Sequence, residues 1–174
     1  ASGGALTALV EAVERPQAAV RDRLTHDMWA ALAQLSQEGR GRLAASGVGL
    51  DKLAETATAI IRACTNLSGL AAENMVRGGA WMFLDLGRRI ERAQVTARNI
   101  REALSEPQGR IESGLRLALE LCDSSLTYRA RYLGAVQPAP VLDLVLADPG
   151  NPRSLGFQLA AVAARLAEIG EAED

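Results

Sequence analysis

The sequence predicts an all-α fold, an up-and-down antiparallel helical bundle with three long helices and shorter flanking helices. Three observations point there. Apolar residues recur at alternating spacings of three and four over long stretches, the period of a helix face. Ala and Leu dominate while aromatics make up 3% of the chain, a palette in which Ala lets backbones approach and Leu fills the gaps. Nowhere does the strict alternation of a half-buried strand appear. At 174 residues the chain suits one helical domain, 1–174, with enough length to bury a core without staples.

Ala5 to Leu24 reads as helical, with Pro16 kinking it or starting a second helix. Thr25 is a good N-cap for a helix from His26 to about Glu38, and Asp27 favours the dipole in its first turn. Gly39 to Gly49 is rich in small residues and predicts a loop. From Leu50 a seam of Leu53, Ala57, Ile60, Cys64, Leu67 and Ala71 marks the first long helix, ended by Gly78-Gly79. The second runs from Ala80 to about Leu104 and closes at Glu106-Pro107-Gln108-Gly109. The third is expected from Arg110 to about Leu133, before Pro138 and Pro140. Val141 to Leu146 reads as a short apolar helix. Asn151 as N-cap and Pro152 at the first helical position open the last helix, to about Ile169, with Leu155, Leu159, Val162 and Leu166 on one side.

Composition excludes several classes of function. A formal net charge of −2 offers no electrostatic footprint for nucleic acid. No apolar run reaches membrane-spanning length, and the Ala-Ser-Gly-Gly start is no signal peptide; it reads as the start of a piece of a longer chain. Cys64 and Cys122 have no Cys-x-x-Cys partner and read as buried, reduced thiols of a cytoplasmic protein. His26 is the one histidine, so neither a carboxylate-histidine di-metal site nor a zinc site is expected, and no cofactor is. No nucleophile elbow or phosphate-binding glycine loop is present. Asp123, Asp143 and Asp148 read as caps or solvated acids. Arg153 sits at a helix start that suits an anion or a self-capped turn. Arginine supplies every basic residue except Lys52, which fits a GC-rich coding sequence as well as a taste for planar anions.

One polar seam stands out. At about 100° per residue, Phe83, Leu86, Ile90, Ala93, Ala97 and Ile100 share one side of the second long helix. Trp81, Leu84, Arg88, Glu91 and Val95 fall nearly opposite, with Arg92 on the edge. An Arg and a Glu thus stand where packing is expected. On the third helix Leu117, Leu121, Ser124, Tyr128 and Arg131 make a seam that turns polar as it proceeds. Buried ions lose several kcal/mol of hydration, recovered only in paired, hydrogen-bonded arrangements. Glu91 would accept from Arg88, Arg92 or Arg131, with Tyr128 completing the network. Such a network either fixes helix register or leaves surplus arginines for a carboxylate or phosphate ligand.

These segments resemble the alpha-E family of bacterial helical proteins, named for a helix with a Glu-Arg motif. The resemblance is carried by Arg21-Asp-Arg-Leu24 with Met28-Trp29, by Glu73-Asn74 and Arg77, and by Trp81 with FLDLGRRIERA from Phe83. It continues through DSSLTYRARY from Asp123, VLDLVLAD from Val141 and NPRSLGFQL from Asn151. It covers about Val20 to Leu166 and is similar to the later, C-terminal portion of a longer alpha-E protein. What the resemblance implies is a setting. Alpha-E domains are encoded beside, or fused to, circularly permuted ATP-grasp proteins, in contexts that imply peptide synthesis or modification by ATP-dependent amide ligation. The expectation is a non-catalytic helical partner of such a ligase that uses Arg88, Arg92, Arg131 and Arg153 to bind an anionic peptide. Two alternatives stand beside it: an enzyme with Glu91 as general base and Tyr128 as acid in an arginine-lined pocket, and a purely structural assembly module.

Overall fold

A computed structural model describes residues 8, 11–12, 15–16, 19–44, 49–105 and 111–171. The described residues are helical or in turns and loops, with no strand among them, so the fold is all-α. Two compact units divide the chain, Ala1–Trp81 and Met82–Asp174.

In the first unit a 3₁₀ turn, Arg21–Arg23, leads into α1 (His26–Ala44), and α1 packs against α2 (Leu50–Asn74). The Thr25 hydroxyl accepts the Met28 N–H at 3.3 Å, the N-cap that the sequence predicts. α1 continues through Gly39 and Gly41, where a loop is expected. Each glycine costs a helix only about 1 kcal/mol, and helical stability in proteins comes mainly from packing, here on α2. The rest of that expected loop, 45–48, lies outside the described residues. On α2, Ala71 is buried and Leu53, Ala57, Ile60 and Leu67 are half-buried, whereas Cys64 is exposed. One partner helix covers less of the stripe than a bundle would. Arg21 stacks on Trp29 and Arg77 on Trp81, with guanidinium-to-ring distances of 5.0 and 4.5 Å.

The second unit is built on α3 (Gly79–Leu104), whose first three residues belong to the unit before. Its buried residues are Asp85, Ala93, Thr96, Ile100 and Ala103, a single stripe. Phe83, Leu84, Ile90 and Val95 are exposed, and so are Arg88 and Glu91. The two-faced burial expected of this helix is therefore replaced by one face, and the ion inside it is Asp85.

The expected third long helix is two helices, α4 (Ile111–Leu121) and α5 (Ser125–Arg131). The break is a Schellman motif. Asp123 N–H donates to the Glu120 carbonyl at 2.9 Å and Ser124 N–H to the Leu119 carbonyl at 2.8 Å, with Asp123 at φ 48°. α4 meets α3 closely through small residues: Ala103 and Ala118 have no exposure, and a Cβ on Gly114 would lie 2.5 Å from the Ala103 carbonyl oxygen. The expected turn at Glu106-Pro107-Gln108-Gly109, and Arg110, lie outside the described residues.

Pro138 and Pro140 stand in the first turn of α6 (Pro138–Leu142), where a missing N–H costs nothing. The chain then widens into a π-helical turn, Asp143–Ala147, with the Asp148 N–H donating to the Asp143 carbonyl at 2.9 Å. Ile100, Leu115, Leu119, Cys122, Tyr128, Val141, Leu144 and Val145 form the core of this unit. α7 (Leu155–Glu171) closes it, and Gly156 brings α7 so near the π turn that a Cβ there would meet the Leu146 and Ala147 carbonyls at 3.0 Å.

Candidate functional site

α7 starts three residues later than the Asn-Pro pair suggests. Ser154 is its N-cap, accepting the Phe157 N–H at 3.0 Å and donating to the Asp148 carbonyl at 2.6 Å. Asn151 has a different task. Its amide donates to the Leu144 carbonyl at 2.9 Å and to the Ser124 hydroxyl at 3.1 Å, while its oxygen accepts the Arg153 N–H at 3.0 Å. Ser124, Asn151 and Ser154 are all buried, so one asparagine ties the α4–α5 break to the π turn and fixes where Arg153 leaves the backbone. The side of α7 expected to be apolar instead exposes Leu159 and Leu166 and buries Gln158.

Gln158 belongs to a second polar network, formed with α3. The Asp85 carboxylate, 7% exposed, meets Arg165 Nε at 3.0 Å and Arg89 Nε at 3.3 Å. Arg165 also holds Glu168 at 2.6 Å, and its guanidinium pKa is raised, first by the hydrogen bond to Asp85. Arg89 donates to Gln158 at 3.5 Å and stacks on Phe157 at 5.5 Å, and Gln158 donates to the Pro152 carbonyl. This knot, with a buried carboxylate and partly exposed arginines, ties α7 to α3. Sequence reasoning missed it because Asp85 lies one residue from the apolar stripe and its partner Arg165 is 80 residues away.

The buried network expected of Arg88, Glu91, Tyr128 and Arg131 is not the one that forms. Arg88 and Glu91 are exposed, with no mutual ion pair among the described residues. Arg131 is exposed and pairs with Asp148, whose other oxygen accepts the Gly150 N–H at 2.8 Å. These bonds, the Gly150 N–H first and Arg131 next, hold the Asp148 carboxyl below the usual range. Tyr128 is buried, but its hydroxyl donates to the Ala135 carbonyl at 3.3 Å and accepts the Gln137 N–H at 3.0 Å. It clasps the 132–137 loop, its hydroxyl engaged by backbone as both donor and acceptor. The physical reason for both differences is the break at Asp123, which redirects everything beyond it.

What the fold does assemble is a group of arginines where α3 faces the α4–α5 break and the turn before α7. Asn99 of α3 donates to the Leu121 carbonyl at 3.4 Å, setting that register. Arg92 is half-buried, and its pKa is lowered first by burial and then by the charges of Arg153 and Arg88. It makes no ion pair or hydrogen bond among the described residues. Arg153 also acts on the buried Cys122 thiol, whose pKa burial nevertheless raises, which favours the protonated form. The acids nearby are Glu91, adjacent in sequence and exposed, and Asp123, 2.9 Å from Arg153 Nη2. Cation therefore exceeds anion around a guanidinium already partly desolvated, which favours an incoming carboxylate or phosphate. Of the residues predicted to bind a ligand, Arg88 and Arg153 both act on the charge of Arg92, while Arg131 is engaged with Asp148.

Among the described residues no group of three or more His, Cys, Asp or Glu is placed to hold a metal ion, and no helix is long and apolar enough to cross a membrane.

Fold and site together define an all-α protein with a basic cluster at α3 and the turn before α7. The family model of Alpha-E, described as a predicted alpha-helical domain with a conserved ER motif, matches residues 1–174, and the chain belongs to that family. The match extends beyond the 20–166 of the sequence resemblance. Two Glu-Arg dipeptides occur, Glu14-Arg15 and Glu91-Arg92, and the second supplies the half-buried arginine of the cluster. Uncharacterized proteins of Mycobacterium bovis and of two Mycobacterium tuberculosis strains are each 34% identical over 180 residues, covering 95% of this chain. The chain spans about a fifth (19%) of the length of these curated relatives. No solved structure matches it.

Proposed function

We propose that this domain is a helical accessory partner of a circularly permuted ATP-grasp amide ligase, and that Arg88, Arg92 and Arg153 receive a carboxylate-bearing peptide for it. The partner follows from what the Alpha-E resemblance implies. The great length of the relatives supports a module that works as one part of a larger protein. The ligand class rests on one observation: Arg92 is half-buried beside like charges with no carboxylate bonded to it. A guanidinium that has lost hydration beside more like charge than opposite charge gains from any planar anion that reaches it.

Two measurements test this. Co-purification with the ATP-grasp protein of the same genome is expected at micromolar concentration, and its absence counts against the partnership. Calorimetric titration with N-acetyl-Glu-Glu is expected to give heat with the wild type and binding at least about tenfold weaker for Arg92→Ala, the value of one charge-assisted hydrogen bond of about 1.5 kcal/mol or more. Equal heats in both would remove Arg92 from the site.

A further inference from the structure

Asp123 stands where a side chain is unwelcome. Its φ of 48° lies in the left-handed region, at the position after the α4 C-cap that glycine usually takes. What its carboxylate reaches from there is Arg153, at 2.9 Å. Side-chain exposures of 73% for Asp123 and 46% for Arg153 make this an open ion pair, too weak to account for a disfavoured backbone residue. The pair is easily exchanged as well, because a carboxylate so exposed returns to water with little change in hydration. The charge of Arg153 in turn acts on Arg92, as that of Arg88 does.

We infer that the Asp123 carboxylate is a built-in occupant of the arginine site, holding Arg153 in place until the carboxylate of an acidic peptide displaces it. The inference rests on the reading of the cluster as a carboxylate site and adds the device that regulates its occupancy. Displacement exchanges one ion pair for another at Arg153, while Arg92 and Arg88 gain a partner they lacked. Apparent affinity in the wild type is then reduced by the fraction of molecules in which Asp123 holds the arginine. A peptide with one carboxylate competes with Asp123 on nearly equal terms, and one with two adjacent carboxylates outcompetes it by engaging Arg92 as well.

The test is calorimetric titration of N-acetyl-Glu-Glu into the full chain at low salt, comparing wild type, Asp123→Asn, Asp123→Gly, Glu112→Gln and Arg92→Ala. Both Asp123 variants are expected to bind about two- to fivefold tighter than the wild type, the worth of an open ion pair. Asp123→Gly keeps the measurement secure, since glycine suits the left-handed position and the variant folds at least as well. Glu112 pairs with Arg116 at 2.6 Å near the opposite end of α4, so Glu112→Gln makes the same change in charge away from the cluster and is expected to leave affinity unchanged. Unchanged or weaker binding by both Asp123 variants overturns the inference, as does equal tightening in Glu112→Gln, which reduces the effect to net charge. In either case binding that is lost in Arg92→Ala leaves the site itself standing. No heat from any variant overturns both the site and its occupant.

Discussion

Two glycines of the second unit should respond to alanine in opposite directions. In α4, a Cβ on Gly114 would sit 2.5 Å from the Ala103 carbonyl oxygen and 3.5 Å from its carbon. That oxygen is backbone inside α3, so relief requires the two helices to part, and Leu115, Ala118 and Leu119 on the same face of α4 would lose contact with it. Overpacking of this kind costs about 1–3 kcal/mol, against a helix-propensity gain of about 1 kcal/mol for Gly→Ala. Backbone-on-backbone contact belongs at the top of the range, so Gly114→Ala should lose about 1–2 kcal/mol net. Gly87 is the control: it lies inside α3, is exposed, and a Cβ there would meet nothing within 4 Å. Gly87→Ala should therefore gain about 0.5–1 kcal/mol. Urea unfolding followed by circular dichroism would read both, with a gap of about 1.5–3 kcal/mol between the variants. In a chain of this size each kcal/mol moves Tm by about 2–4 °C. If Gly114→Ala is as stable as Gly87→Ala, α3 and α4 do not touch where the structure says they do, and the register that sets Arg92 of α3 toward the α4–α5 break falls with it.

Asp85→Ala should destabilise by roughly 3 kcal/mol in the same assay, the lower end for breaking a buried pair, because Arg89 and Arg165 are 29% and 26% exposed and recover some hydration; an unchanged urea midpoint would refute the buried knot. Asp148 has a lowered carboxyl pKa, so the stability it adds is complete above the ordinary aspartate value of about 3.9 and is lost as pH falls through its lower folded value. Asp148→Asn should therefore flatten the fall in Tm below about pH 4, and an identical acid profile would contradict the Arg131–Asp148 pairing. Gly156→Ala should weaken the docking of α7 on the π turn, measured as faster hydrogen exchange at the Asp148 amide, because its Cβ would press on two carbonyls at 3.0 Å.

Much of the helical content was legible because it rests on local rules. The three-and-four spacing located α2 and α3, and Thr25 announced the start of α1. What local rules could not supply was choice between equals. α3 offers two apolar stripes, and only its packing partners turn inward a face that takes in Asp85, which belongs to neither. Asp123 hides a helix end because glycine, rather than aspartate, is the signal for a left-handed C-cap. Asn151 and Ser154 are equally good caps by residue type, and the Leu144 carbonyl released by the π turn claims the first. At the candidate site, Arg88, Arg92 and Arg153 were legible as an excess of cation at helix positions. Arg131 and Tyr128 were misplaced because their partners, Asp148 and the 135–137 backbone, lie beyond a break the periodicity runs straight through.

The claim on which the functional reading depends is that Arg92 and Arg153 contact a carboxylate ligand together. Arginine Nε–Hε resonances, followed by NMR while N-acetyl-Glu-Glu is added, observe this directly. Shifts of Arg92 and Arg153 along one common saturation curve, with exposed Arg62 of α2 unmoved, are the predicted result. Motion of all the arginines in proportion to added salt, or none at Arg92 up to millimolar peptide, would contradict it.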